Sequence, residues 1–485
     1  MTFFPDSSTF IQIGTLEIKW YAILILIGAF AAYYLMSQQF KKMGYEQDDA
    51  DNIFIGCLLF GVIGARIWYV LFSDLQSYLA DPITIIEIWN GGLAIHGGLI
   101  AGIIFAYLYA KKHKLSFFRI SDGVLPYVLI AQAIGRWGNF INQEAFGKPV
   151  TEAYFQHWPT FLNFIKERMF INGSYQEPMF LYESILCVIG FILIILYRKY
   201  SHPKRGDLTY CYLLWYGAIR FWIEADRSDS LMIFGLKMAQ IISIVFMVIG
   251  LLGLLGVWRK FKKPVKPILL FDNDETLIDS EKAIQDSFKK TLKEYIPDKE
   301  LTQDELDGFL GPTLEESFSK YLPQDKVSEA CEKYRAYNEE LLKEVQPMPG
   351  AKEAIEKWKS EGYKLGVVSS KKKDTVLKGL GYVGMDKMFD VIIGLEDCKH
   401  PKPAKDGILN ACKALGLSHD EVIYVGDSVT DIQAAKRAGV YSVGYSDQEK
   451  RNKELKAAQP NATISKLSEL DEILKGNNSW TANLR

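Results

Sequence analysis

The sequence has few cysteines: Cys57, Cys187, Cys211, Cys331, Cys398 and Cys412, with no C-x-x-C pair and no other metal-ligand spacing among them. Three fall in apolar runs and three in a charged half, which argues against a disulfide framework, so all six are expected to be ordinary buried or free thiols. Met1 to Glu17 lacks a cationic stretch followed by a small-residue cleavage site. No removable signal peptide is therefore expected, and the apolar run from Trp20 to Met36 should stay in the membrane. Internal repeats are also missing, which argues against a transporter built from duplicated halves. The formal net charge is only −2, but it averages two different solvents and indicates no partner; no nucleic acid is expected.

What is present is unevenly distributed. A chain of 485 residues exceeds one ordinary core, so two or more domains are expected. Up to about Trp258 there are long apolar runs; beyond Lys260 a charged residue appears every few positions. Runs near 18–37, 52–72, 92–111, 178–198, 208–224 and 236–258 are long enough for a hydrocarbon core of about 30 Å. A shorter one near 121–135, interrupted by Pro126 and Gln132, makes about seven.

The intervening charges predict orientation, because Lys and Arg accumulate in short cytoplasmic loops. Lys41-Lys42, Lys111-Lys112-His113-Lys114, Arg198-Lys199 to Arg205, and Arg259-Lys260-Phe261-Lys262-Lys263 follow the first, third, fifth and seventh runs. The N-terminus is therefore expected outside and the C-terminus inside, with 136–177 facing outward. This alternation needs the interrupted fourth run to span; without it, basic clusters would lie on both sides.

From Lys266 short apolar runs alternate with amphipathic stretches: Ile268 to Phe271, Lys364 to Val368, Val391 to Ile393 and Val422 to Val425. This pattern predicts a parallel sheet wrapped in helices. Residues about 281–345 are rich in Glu, Lys and Leu at helical spacing without such a run, and read as an inserted helical subdomain. The expected organisation is a polytopic all-α membrane domain over 1–260, a basic linker over 261–266, an α/β domain over 267–475 and a polar tail over 476–485.

In the membrane half, Gly135-Arg136-Trp137-Gly138-Asn139-Phe140-Ile141-Asn142-Gln143-Glu144-Ala145-Phe146-Gly147 concentrates a guanidinium, carboxamides and a carboxylate at a membrane boundary. A lone Arg there would read as a snorkelling side chain, but this density of polar groups points to a phosphate-holding pocket. His96 lies in Gly91-Gly92-Leu93-Ala94-Ile95-His96-Gly97-Gly98 and is either a helix–helix hydrogen-bonding group or a proton-transfer group. Arg220, Glu224 and Arg227 share one helical face, and can be a surface pair or an anion pocket. Arg66, inside the second run, needs a partner.

At these residues, with Trp20-Tyr21, Leu181-Tyr182-Glu183 and the stretch from Tyr216 to Arg227, the chain resembles the prolipoprotein diacylglyceryl transferase family over about residues 10–258. The resemblance implies transfer of diacylglyceryl from phosphatidylglycerol to the lipobox cysteine of pre-prolipoproteins in the bacterial plasma membrane, with release of glycerol phosphate and no metal. It implies that Arg136 and Arg220 hold the phosphate and that His96 helps deprotonate the thiol, a task Tyr21 or a carboxylate could share. Asn139, Glu144 and Gly147 would shape the headgroup site with Arg227, and Glu224 would orient Arg220.

In the soluble half, the first strand runs into Phe271-Asp272-Asn273-Asp274-Glu275-Thr276-Leu277. Ser369 follows the second, Lys402 stands in Pro401-Lys402-Pro403, and Gly426-Asp427-Ser428-Val429-Thr430-Asp431 follows the fourth. One Asp after a strand is commonly a helix cap. Four such features in this order resemble the haloacid dehalogenase superfamily, in its phosphoglycolate-phosphatase-like branch, over about 266–470. That implies a Rossmann-like domain whose helical insert is a cap, with Gly311-Pro312-Thr313 as a substrate-side loop. It implies Asp272 as nucleophile forming an aspartyl-phosphate and Asp274 as general acid/base. Ser369 and Lys402 would bind the phosphoryl group of a small cytoplasmic phosphate ester. Mg²⁺ would be held by Asp272, the Asp274 carbonyl and Asp427, with Asp431 in support. Relatives usually carry Gly where this chain has Glu275. That departure leaves open a non-catalytic regulatory module, and the inward-facing tail also allows a transporter or receptor with a phosphatase-like domain.

Overall fold

The structure, a computed structural model, describes residues 9–13, 16–73, 75–113, 115–201, 203–225, 232–233, 236–260, 266–310, 312–417 and 419–475. The chain divides into two compact units near residue 264. The linker residues 261–265 and the polar tail lie outside the described residues.

The first unit is predominantly helical. Helices occupy each expected apolar run: α1 (Trp20–Lys42), α2 (Gln47–Phe72), α3 (Ile95–Lys112), α4 (Phe117–Asn142), α5 (Met179–Tyr200), α6 (Asp207–Ala225) and α7 (Met238–Leu254). Among the described residues, four of these, α1, α2, α4 and α5, are long and apolar enough to cross a membrane, while α7 is a shorter apolar helix. The interrupted fourth run is thus a 26-residue helix. Pro126 lies inside it, and the chain leaves it at Gln143, whose φ of 53° is left-handed. The Gly135 to Gly147 block is consequently not a loop in its first half: Arg136 and Asn139 stand on the last turns of α4.

Polar groups inside this unit are tied together, as burial in apolar surroundings requires. Asp122 on α4 is fully buried and accepts hydrogen bonds from the N–H groups of Gly206 and Thr209 (2.6 and 2.8 Å) and from the Thr209 hydroxyl (2.7 Å). Arg198 on α5 donates to the Tyr127 hydroxyl (2.8 Å) and to the Asp122 carbonyl (2.9 Å), both on α4, so that with Thr209 on α6 the group ties three helices together. Residues 143–178 fold into a small three-stranded antiparallel sheet and short helices around Phe155, Ile165, Met169 and Phe180.

The partner that Arg66 requires is backbone. Its guanidinium donates to the carbonyls of Ile85 (2.9 Å), Gly91 (2.7 Å), Gly92 (3.0 Å) and Thr84 (2.5 Å), and it is 7% exposed. Hydrogen bonds from a charged donor contribute about 1.5–3 kcal/mol each. Arg66→Ala should therefore destabilise the membrane unit by on the order of 3 kcal/mol or more. Arg66→Lys should not restore it, because one ammonium cannot span four carbonyls. Thermal unfolding in detergent checks both.

The second unit is built on a six-stranded, all-parallel sheet: β1 (Ile268–Phe271), β2 (Lys364–Val368), β3 (Val391–Ile393), β4 (Val422–Gly426), β5 (Tyr441–Tyr445) and β6 (Ala462–Ile464), in the order β3-β2-β1-β4-β5-β6. The four expected strands lie side by side from the β3 edge, and β5 and β6 extend the sheet beyond β4. Each central run is continuously apolar because helices cover both faces. Phe271, at the end of β1, pairs with Val367 on one side and Val425 on the other, so β1, β2 and β4 end side by side.

The insert is helical as expected: α8 (Glu281–Tyr295), α9 (Gln303–Asp307), α10 (Leu314–Phe318) and α11 (Gln324–Leu341) surround their own core of Phe288, Leu306, Phe309, Phe318 and Tyr334. The chain enters and leaves it through a two-stranded antiparallel ribbon, Ile278–Asp279 with Gln346–Pro347.

Near the C-terminus Asp471 accepts the Trp358 indole N–H (2.8 Å) and the Lys357 ammonium. Burial alone would raise its pKa, but the hydrogen bonds from Lys357 and Trp358 overcome that and hold it below the usual carboxylate value. A depressed folded pKa stabilises fully above the unfolded pKa of about 3.9 and is lost as pH falls through the folded value. Asp471→Asn should therefore lower the urea midpoint of this unit at pH 7, by an amount that shrinks as pH falls through the folded value. Pulse hydrogen exchange of residues 351–360 in the intact protein reads both.

Candidate active sites

The first site forms where α4, α5 and α6 converge. Glu183 on α5 is 1% exposed and neutralises two guanidiniums, Arg136 Nη2 at 2.6 Å and Arg220 Nη1 at 3.6 Å. Arg220 Nη2 is also paired with Glu224 one turn along α6, at 2.9 Å. Arg136 Nη1 donates to the Asn139 side-chain oxygen (3.2 Å), and the Asn139 amide donates to Glu144 (3.0 Å). The Asn142 amide adds a longer contact to Glu144 (3.4 Å). Arg220 Nη1 is buried and makes no hydrogen bond; it faces the Glu183 carboxylate at 3.6 Å. Lys237 caps α6 by donating to the Glu224 and Ala225 carbonyls (2.7 and 3.0 Å). Arg136, Asn139, Ala145, Met179, Glu183 and Arg220 line the cleft.

Five of the expected residues, Arg136, Asn139, Glu144, Arg220 and Glu224, thus belong to one connected network. Gly147 lies beside it: its N–H donates to the Glu177 carbonyl (3.0 Å), and a Cβ there would meet Met179 at 2.7 Å. Tyr21 packs on Gly138, where a Cβ would sit 2.6 Å from its ring, and is not part of the network. His96 stands apart as well. It is half-buried at the start of α3, has no hydrogen-bond or ion-pair partner among the described residues, and does not line the cleft. Its helix is pressed to α2 at Gly97 and Gly64, where a Cβ on either would overlap the other's carbonyl. Arg227 lies outside the described residues.

Glu183 had no role assigned from sequence, although a lone carboxylate in an apolar run is itself a signal. Tyr216 was missed too; its hydroxyl lies within electrostatic reach of Glu183, Arg136 and Arg220. The guanidiniums of Arg136 and Arg220 are held together by Glu183 and Glu224, and their planar donors suit a phosphate.

The second site lies at the carboxyl ends of β1, β2 and β4, where an open α/β sheet exposes its loops. Asp272 leaves β1 with its N–H bonded to the Val425 carbonyl (2.9 Å). Lys402 Nζ lies 2.6 Å from Asp272 and 2.7 Å from Asp431, which also accepts the Tyr424 hydroxyl (3.0 Å) and the Ser428 hydroxyl (2.5 Å). Asp274 turns the other way, to Lys371 (2.7 Å) and the Ser280 hydroxyl (2.6 Å). Asp427 faces Thr276 (3.4 Å) and Arg451 (3.3 Å). Ser369 follows β2, and its hydroxyl accepts the Lys371 N–H (3.1 Å). All four motifs therefore meet on one floor, beneath a cavity of about 280 Å³ roofed by the insert. Pro312 and Thr313 line that cavity, while Gly311 lies outside the described residues. Lys371 and Arg451 are additions that sequence reasoning did not make.

Charge on this floor is unbalanced. Burial pushes Asp272 up to about 7 even though Lys402 opposes it, and burial with the neighbouring Asp431 and Asp272 pushes Asp427 well up. Burial would lower Lys402, but Asp272 and Asp431 hold it well above its ordinary value. Asp274 is lowered: burial raises it, yet Lys371 with the hydrogen bonds from Lys371, Ser280 and Asn273 prevails. Carboxylate oxygens of Asp272, Asp427 and Asp431 lie within 4.8 Å of one another, an all-oxygen set that fits a hard divalent cation such as Mg²⁺.

Glu275 has a left-handed φ of 54°, the conformation in which glycine is unstrained. Its carboxylate folds back to accept the Ser280 N–H (2.8 Å), and burial raises it to about 7, partly offset by that bond. The acid thus ties the loop after β1 to the hinge of the insert.

Residues 8–256 match the family model described as prolipoprotein diacylglyceryl transferase, and residues 269–445 match the one described as haloacid dehalogenase-like hydrolase. The phosphatidylglycerol–prolipoprotein diacylglyceryl transferase of Staphylococcus aureus (strain MSSA476) is 44% identical over 237 residues, 48% of this chain and 83% of that protein. The enzyme of the same description from Halalkalibacterium halodurans is 43% identical over 242 residues, 50% of this chain and 83% of that protein. A solved haloacid dehalogenase-like hydrolase from Streptococcus pneumoniae is 27% identical, covers 43% of this chain and 99% of its own, and has a TM-score of 0.40.

Proposed function

Because the chain belongs to the prolipoprotein diacylglyceryl transferase family and carries a haloacid dehalogenase-like domain, we propose that it is a bifunctional membrane enzyme: it transfers diacylglyceryl from phosphatidylglycerol to lipobox cysteines of pre-prolipoproteins, and hydrolyses a phosphate ester. The observation that carries the first activity is the convergence of Arg136 and Arg220 on the buried Glu183.

In the transfer, the cysteine sulfur attacks the glycerol carbon bonded to the phosphate oxygen. A C–S bond forms, the C–O bond breaks, and glycerol phosphate departs with the electron pair. Arg136 and Arg220 bind the phosphate and stabilise the charge that grows on the leaving oxygen. Glu183 and Glu224 are positioning residues that hold the guanidiniums in register, while Asn139, Glu144 and Gly147 shape the headgroup end with Arg227. His96 takes the thiol proton, with Tyr21 beside α4 as the second candidate; neither lines the arginine cleft.

Seven spans are assigned, with the N-terminus outside and the C-terminus in the cytoplasm, on the basic clusters that follow α1, α3, α5 and α7. The arginine cleft then opens outward, where pre-prolipoproteins emerge, and the hydrolase faces the cytoplasm.

In that hydrolase Asp272 attacks the phosphorus to form an aspartyl-phosphate as the P–O bond to the alcohol breaks, and Ser369 and Lys402 hold the phosphoryl oxygens; Asp274, which Lys371 holds below its ordinary pKa, must first gain a proton to pass to the departing alkoxide, and later takes one from water. Asp272, the Asp274 carbonyl and Asp427 would hold Mg²⁺, with Asp431 fixing Lys402. Bound there, the ion would neutralise the surplus carboxylate charge and admit an anionic substrate. That Asp272, Asp274, Ser369, Lys402 and Asp427 are all present favours catalysis over a purely regulatory module.

The reading is tested by incubating the purified protein with phosphatidylglycerol vesicles and a lipobox peptide. Glycerol phosphate should appear one for one with thioether; release of glycerol phosphate without peptide modification would instead indicate a lipid hydrolase.

A further inference from the structure

The cavity above Asp272 is larger than a phosphoryl group needs. Its volume of about 280 Å³ equals that of about nine waters at their liquid share of roughly 30 Å³ each. A phosphoryl group bound on Ser369 and Lys402 occupies only the floor. Above that floor the cap contributes an apolar wall of Phe288, Phe309, Leu310, Leu314 and Tyr334, interrupted by polar side chains such as Asn338 and Glu339. Phe288 stacks on Phe309 with ring centroids 4.1 Å apart, and both, with Tyr334, belong to the cap's own core, so this wall is held rigidly. Of the cap's polar groups on the cavity, Arg335 is paired with Glu315 at 3.4 Å, Glu339 with Lys378 at 2.6 Å, and the Asn338 amide donates to the Ser287 hydroxyl at 3.2 Å. The cap therefore meets the substrate mainly with carbon.

We propose that this site takes phosphate monoesters whose alcohol portion is an apolar or aromatic body of several carbons, in preference to esters of short polyols or hydroxy acids. This rests on the phosphatase reading above for the position of the phosphoryl group. Its driving force is removal of apolar area from water against a preformed wall, which rewards each added carbon until the cavity is full. Short hydroxylated esters forfeit that gain and leave hydroxyls facing Phe309 and Leu310 without partners.

The test compares ligands with similar phosphorus chemistry on the intact, detergent-solubilised protein. Ethylphosphonate and 2-phenylethylphosphonate are titrated calorimetrically in the presence of Mg²⁺, and ethyl, 2-phenylethyl and glycerol phosphates are assayed for phosphate release. The proposal expects 2-phenylethylphosphonate to bind at least tenfold more tightly than ethylphosphonate. It expects kcat/KM to follow the same order through KM, and Leu310→Trp, which fills the cavity, to cut the ratio of the two affinities at least tenfold. Equal affinities, or preference for glycerol phosphate, would overturn it. Hydrolysis of none of the esters with the phosphonate ranking intact would overturn the phosphatase reading while supporting the pocket assignment.

Discussion

Arg136→Ala should abolish thioether formation on a lipobox peptide, lowering kcat by about 10²–10³, the loss expected when one aimed donor to a developing negative charge is removed. The effect is large because Arg136 is both a phosphate ligand and one of the two cations on Glu183, 2.6 Å away. Removing it leaves Glu183 with only the more distant Arg220, so Arg220 should be drawn further onto the carboxylate and away from substrate. Arg136→Lys should recover little, since a single ammonium cannot reach Glu183 and Asn139 while holding a phosphate. Glu183→Gln probes the same network with shape preserved. It should lower kcat by about tenfold or more, because two guanidiniums lose the buried carboxylate that holds them together. Lipobox peptide turnover with phosphatidylglycerol vesicles measures all three.

Asp272→Asn should eliminate phosphate ester hydrolysis, by at least about 10³-fold, and leave diacylglyceryl transfer unchanged. The side chain keeps its size, and Lys402 keeps Asp431 at 2.7 Å, so the floor should stay intact while the nucleophile is lost. Phosphate release from 2-phenylethyl phosphate, with the transfer assay run on the same preparation, reads both halves of that expectation.

The soluble half was legible because its chemistry is written next to its strands. Asp272, Ser369 and Asp427 each follow an apolar run, and a parallel sheet brings such positions to one edge whatever their separation along the chain. Lys402 was singled out in its Pro-Lys-Pro loop, but its phosphoryl-binding role came only from the resemblance. Lys371 was hidden among Lys371-Lys372-Lys373, where charge alone does not distinguish the one that turns to Asp274. Glu275 illustrates the opposite case: sequence marked it as a departure, but only the backbone shows that its carboxylate is spent on Ser280.

The membrane half was legible in its helices and less so in its network. Hydropathy places α1 to α7, yet says nothing of which faces meet, and so Glu183 went without a role although it joins Arg136 to Arg220. A buried charge in an apolar run requires a partner, but the rule does not name it: for Glu183 the partners are two guanidiniums, and for Arg66 four carbonyls of an adjoining loop. Pro126 weakened the fourth run on hydropathy, while the structure carries the helix through it to Asn142.

The most direct measurement is mass spectrometry of a lipobox peptide after incubation with phosphatidylglycerol and the purified protein, with Arg136→Ala and Asp272→Asn in parallel. A diacylglyceryl mass increase in the wild type and in Asp272→Asn, and none in Arg136→Ala, is the predicted result. An unmodified peptide with folded wild-type protein, or equal modification by Arg136→Ala, would contradict the assignment of transfer to the arginine cleft.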